Sequence, residues 1–158
     1  MKSRCETILR KVPNLFRRLE WAAHGPLTLR REVFGAGLGM TLFYISDIHL
    51  SGSWTNRISR QILDAVSVEH PHLVLLGGDL IDRRAALPLL RSFLRSLRGL
   101  TDQVLAIPGN HDRFVDEMFI REAVIDHEGH WLPDSAYQKP GLTIEDIKTR
   151  AIHPEDTG

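Results

Sequence analysis

From residue 41 onward, short apolar runs alternate with stretches in which apolar side chains recur every three or four positions, and no other feature constrains the fold as tightly. The run Thr41-Leu42-Phe43-Tyr44-Ile45-Ser46 reads as a strand that ends at Asp47. After a polar loop, Ile58, Ile62, Ala65 and Val66 keep helical spacing until His70-Pro71 stops the helix. Leu73-Val74-Leu75-Leu76 is apolar without alternation, as in a strand covered on both faces, and ends at Gly77-Gly78-Asp79. Leu87, Leu90, Phe93, Leu94 and Leu97 form a second helical stripe, with Arg91, Arg95 and Arg98 largely outside it. Val104-Leu105-Ala106-Ile107 is the third run, followed by Pro108-Gly109-Asn110. Strand, helix, strand, helix, strand predicts right-handed βαβ units, so the chain reads as α/β with a parallel sheet and flanking helices.

Ligands of a parallel sheet bind beyond the carboxyl ends of its strands. Here each run is followed directly by polar, metal-competent residues: Asp47-Ile48-His49, then Asp79 with Asp82, then Asn110-His111-Asp112. The intervals from Asp47 to Asp79 (32) and from Asp79 to Asn110 (31) are each about one βαβ unit, which predicts that the loops meet at one edge. Carboxylate, imidazole and amide oxygen suit Mn, Fe, Zn or Mg, and a single cysteine, Cys5, argues against a thiolate site. Two such ions about 3.5–4 Å apart can clamp a phosphate ester and supply a hydroxide for in-line attack. Cations that close need a bridging carboxylate, and Asp79, behind two glycines that admit backbone and ion, is placed to be it. An Asp at a strand end is ordinarily a cap or turn residue, so each motif alone says little. Three in fixed order, each directly after an apolar run, are poorly explained by capping.

Asp47-Ile48-His49, Gly78-Asp79-Leu80-Ile81-Asp82 and Gly109-Asn110-His111-Asp112 resemble the first three motifs of the calcineurin-like metallophosphoesterases. The context Tyr44-Ile45-Ser46-Asp47-Ile48-His49-Leu50 is most similar to the bacterial branch that hydrolyses phosphodiesters or nucleotide-linked lipids, often at the membrane. The resemblance covers about residues 41–115. It implies that Asp47 and His49 bind the first metal, that Asp79 bridges both, and that Asn110 binds the second through its side-chain oxygen. It further implies that His111 contacts the phosphate and protonates or stabilises the leaving oxygen, with Asp82 orienting its imidazole. Arg83 matches a phosphate-clamping arginine, a task that suits a guanidinium fork. The implied reaction is hydrolysis of a phosphoester, a phosphodiester or a nucleotide-linked lipid pyrophosphate, by a metal-bound hydroxide at two divalent ions.

The sequence also departs from that family. It has no Gly-His-x-His motif, Gly129-His130 continues with Trp131-Leu132, and the second half of the family sandwich is expected to be missing. His127 and His130 could share a helical face but read as solvated side chains, and His153 before Pro154 reads as a loop residue. Residues 116–158 are polar and acidic, with a helical stretch expected at 144–147 and a short strand around Leu142. The count of donors leaves the second ion only Asp79 and Asn110. That count predicts at most one tightly bound divalent ion per chain and negligible hydrolysis of a generic chromogenic phosphodiester with added manganese. The rival reading is accordingly a catalytically incompetent interaction module.

A length of 158 residues fits about one domain, read here as residues 41–158 behind a basic segment, 1–40. Lys plus Arg equals Asp plus Glu at 20 each, yet residues 1–40 carry 8 basic and 3 acidic side chains while 111–158 carry 5 and 11. Ile8, Val12, Leu15, Phe16 and Leu19 recur at helical spacing beside Arg10, Lys11, Arg17 and Arg18, with Trp21 behind them and a break at His24-Gly25-Pro26. Such an amphipathic helix over residues 1–21 suits an anionic membrane surface, although most amphipathic helices face a core. The longest uncharged stretch, residues 33–46, is too short for a membrane span, and the basic residues interrupt any signal-peptide core. With one cysteine, these features predict a cytoplasmic protein peripheral to the inner membrane. The central segment shows no basic, aromatic-interleaved face, so nucleic acid is not an expected partner.

Overall fold

A computed structural model describes residue 30, residues 39–52 and residues 55–146, with backbone alone at 55 and 56. The expected basic helix of residues 1–21, the break at residues 24–26 and His153 lie outside the described residues.

Strand β1 (Leu42–Ile45) leads through helix α1 (Thr55–Glu69) to β2 (Leu73–Leu76), and a 3₁₀ turn (Arg84–Ala86) with α2 (Leu87–Arg98) leads to β3 (Gln103–Ala106). The short α3 (Asp112–Val115), then α4 (Glu117–Asp126), then β4 (His130–Trp131), β5 (Tyr137–Lys139) and β6 (Leu142–Ile144) complete the order. Strands β1 to β4 form one sheet in chain order, parallel throughout, with Ile45 opposite Leu76 and Leu76 opposite Ala106. The expected α/β architecture, a parallel sheet flanked by helices, is therefore what the chain adopts. Pro88 in the first turn of α2 is placed where a missing N–H costs no helical bond.

Because strand order equals chain order, every crossover steps in the same direction, and right-handed crossovers then put their helices on one face. Ile45, Val74, Leu76, Val104 and Ala106 share a single apolar cluster with Ile62 and Val66 of α1, Leu90, Phe93, Leu94 and Leu97 of α2, and Ile120, Ala123 and Val124 of α4. Of the stripe read from the α2 sequence, Leu90, Phe93, Leu94 and Leu97 are buried and Leu87 packs half-buried against the cluster. On the opposite face cover thins toward β1: Leu73 and Leu105 are buried, Leu75 is half-buried, and Leu42 and Tyr44 are 44% and 57% exposed. The Tyr44 ring lies over Gly77, where any Cβ would collide with it.

Residues 116–146 hold more structure than their polar composition suggests. Helix α4 starts at Asp116, whose carboxylate accepts the Met118 N–H at 3.1 Å, and it ends before His127. His127 therefore lies past the helix and His130 in β4, so the two do not share a helical face. The helix expected at 144–147 is also corrected, since Ile144 belongs to β6, which pairs antiparallel with β5. Pro140 and Gly141 form the two-residue connection between Lys139 and Leu142, and Gly141 has φ 78°, as a tight reversal with proline first and glycine second requires. The short strand expected around Leu142 is present. Among the described residues no helix is long and apolar enough to cross a membrane.

Candidate metal centre

The three loops at the carboxyl edge are laced together by backbone hydrogen bonds. Beyond β1, the chain continues alongside the loop that follows β2: Asp47 N–H donates to Gly78 C=O at 3.1 Å, His49 N–H to Asp79 C=O at 3.0 Å and Leu50 N–H to Leu80 C=O at 2.8 Å. This extension keeps Asp47 and His49 level with Asp79. It bends the chain sharply, and Asp47, His49 and Asp79 all adopt left-handed backbone conformations, with φ of 56°, 47° and 53°. Asp and His tolerate that region better than most side chains, and such conformations gather at functional sites.

The third loop is held by carboxylates. Asp112 is fully buried and accepts the N–H of Asp79 at 2.8 Å, of Leu80 at 2.9 Å, of Ile81 at 3.4 Å and of Gly109 at 2.8 Å. A buried carboxylate is tolerable only when hydrogen bonds replace its lost hydration, and this one clasps the loop after β2 to the loop after β3. Asp79 completes the lacing by accepting the His111 N–H at 2.8 Å. The fit is close: a Cβ on Gly78 would meet the Gly109 backbone, and one on Gly109 would meet the Asp79 carboxylate. Glycine is therefore required at both positions by contact, and at Gly78 by its φ of 91° as well.

Two groups of donor side chains result. Ligand atoms of Asp47, His49 and Asp79 all lie within 4.8 Å of one another, and so do those of His49, Asp82 and His111. Asp79 is only 9% exposed. Two carboxylates and an imidazole at that spacing form an oxygen and nitrogen donor set that fits a divalent cation. Asn110, exposed, sits in the β3 loop between the tied residues Gly109 and His111, so the chain carries it to the same edge. The rings of His49 and His111 meet edge to face, with centroids 4.9 Å apart. Arg83 donates to the Ser51 carbonyl, which joins the first and second loops from outside. Asp47, His49, Asp79, Asp82, Arg83, Asn110 and His111 thus lie in the three loops at one edge, whereas His127 and His130 engage the carbonyls of Ala123 (2.9 Å) and Ser135 (2.7 Å).

A family model described as calcineurin-like phosphoesterase matches residues 40–151, a span that includes all three strand-end loops. The chain belongs to the calcineurin-like phosphoesterase family. No curated protein matches it. The family typically binds divalent metals and hydrolyses phosphoesters, and the two His/Asp groups described above are potential ligands for such an ion. Asp112, which the sequence offers as a metal-competent residue of the third motif, is instead the clasp of the site. The signal for it was indirect, a carboxylate three positions after a tight glycine in a loop whose N–H groups need acceptors.

Proposed function

We propose that the chain is a metal-dependent phosphoesterase of the bacterial branch that hydrolyses phosphodiesters or nucleotide-linked lipid pyrophosphates. Asp47, His49 and Asp79 would hold the first divalent ion, and Asp79 with Asn110 would hold the second. The observation that carries the reading is the cluster of Asp47, His49 and Asp79, drawn from two loops, with the His111 ring against that of His49. Bound divalent cations would neutralise phosphate oxygens and make water acidic enough to attack. His111, exposed at the rim, donates its proton or a hydrogen bond to the leaving oxygen. Arg83 binds the non-bridging phosphate oxygens from the side, its guanidinium held in place by one Nη that donates to the Ser51 carbonyl. The basic segment 1–21 docks on an anionic membrane surface, which suits a lipid-linked substrate.

One observation favours a second reading, the catalytically incompetent module. His127 and His130 are engaged with backbone carbonyls, so among the described residues the second ion keeps two side-chain donors, Asp79 and Asn110. Elemental analysis together with hydrolysis of bis(p-nitrophenyl) phosphate, with and without millimolar manganese, separates the readings. Metal-dependent turnover that disappears in Asp79→Ala supports the enzyme. One tightly bound ion per chain without turnover supports the module.

A further inference from the structure

The second donor group, His49, Asp82 and His111, has the composition of a cation site, but its spacing argues otherwise. Two ligands of one zinc-like ion, each about 2.0–2.2 Å from it, keep roughly 3 Å or more between them. His49 Nδ1 and Asp82 Oδ1 are 2.5 Å apart, the distance of a strong hydrogen bond. From the same oxygen to His111 Nδ1 is 3.7 Å, beyond hydrogen-bond reach. An ionised carboxylate can only accept, so His49 carries its proton on Nδ1 and donates it to Asp82. In the neutral ring that leaves Nε2 as the nitrogen with a lone pair, the one through which His49 can ligate together with Asp47 and Asp79.

We infer that Asp82 is a positioning residue for His49: it fixes the tautomer and ring orientation of a metal ligand, and it touches the His111 imidazole only as a nearby charge. The inference rests on the proposed metal site. It reassigns the carboxylate that the sequence pairs with His111, and it makes the acid Asp82 part of cation affinity rather than of proton transfer alone. A carboxylate behind a ligating histidine raises the ligand's basicity and removes the entropy of ring rotation, and its loss typically weakens metal binding about 10–100-fold. Asp82 is exposed, so its truncation leaves the core untouched.

The test is a double-mutant cycle read by manganese affinity of the purified chain, with circular dichroism as the check on folding. Asp82→Ala should weaken binding about 10–100-fold, and Asp82→Asn less, because an amide oxygen still accepts the Nδ1 proton. In a His49→Ala background Asp82→Ala should add nothing, whereas in a His111→Ala background it should keep its full effect. Wild-type affinity in Asp82→Ala, or an effect that survives loss of His49, overturns the inference. Should the wild-type chain bind no manganese, the proposed function fails, and nitrogen-15 NMR still decides the pairing. His49 protonated on Nδ1 in the wild type, and redistributed between tautomers in Asp82→Ala, upholds it; an unchanged tautomer overturns it.

Discussion

On the helix-covered side of the sheet, Val74, Leu76, Val104 and Ala106 share an apolar cluster with three helices; a few residues further along the same strands, Asp79 and Asp112 accept backbone N–H groups instead. The first region is held by area removed from water and tolerates any packing of about the right shape. The second is held by directed bonds among carboxylates, glycines and left-handed residues, where each group has one acceptable neighbour. A change in the first region should therefore move stability and spare chemistry. A change in the second should do the reverse, with Asp112 the exception that belongs to both.

The largest effect is expected at Asp79. Asp79→Ala should reduce bound metal and turnover to background while leaving far-ultraviolet circular dichroism unchanged. His111→Ala, by contrast, should keep the metal and lose about 10²–10⁴-fold in turnover, the usual contribution of a positioned acid. Metal loss in the histidine variant would make it a ligand.

Asp112→Ala should breach the division, because four N–H groups lose a charged acceptor at once. Each orphaned buried donor costs about 1–3 kcal/mol, so a loss of at least about 3 kcal/mol by urea unfolding is expected, along with weaker metal binding. A variant that loses metal at full stability would show the clasp to be a purely local device.

Leu94→Ala, a truncation in the heart of the helix side, should cost about 2–5 kcal/mol and leave metal affinity intact at temperatures where the variant is folded. Val68→Ser, on the exposed flank of α1, should stay within about 0.5 kcal/mol and serves as the baseline. A Leu94 effect on metal affinity as large as that of Asp82→Ala would mean that the core sets the loop geometry.

The smallest effect concerns the front segment. A peptide of residues 1–21 should prefer anionic to neutral vesicles, with the preference fading as salt shortens the screening length to about 10 Å at 0.1 M. Equal partitioning would favour a helix that packs on protein.

The helix side was legible in the sequence because burial there is periodic. The runs ending before Asp47, Asp79 and Asn110 became β1, β2 and β3 with shifts of about a residue, and four of the five residues of the α2 stripe are buried, Leu87 at the helix start being half-buried. Helix α4 escaped because Ile120, Ala123 and Val124 are its only buried residues, set among charged neighbours. Strand β4 is two residues long, and only pairing with Leu105 and Ala106 makes it a strand. The motifs located the edge residues, but not which groups they bond. That Asp112 is buried, and that Asp82 reaches His49 ahead of His111, depend on how three loops bend, and local residue preferences carry no record of it.

Strand order that follows chain order has a consequence for synthesis on the ribosome. Each strand's partner lies one crossover away, so β1 and β2 can pair before β3 has emerged, and the sheet can grow as the chain does. Asp112, however, comes after β3 and fastens backbone that was made about 30 residues earlier. A nascent chain is thus sheet-like well before it can gather its donors, and the last loop to appear is the one that closes the site.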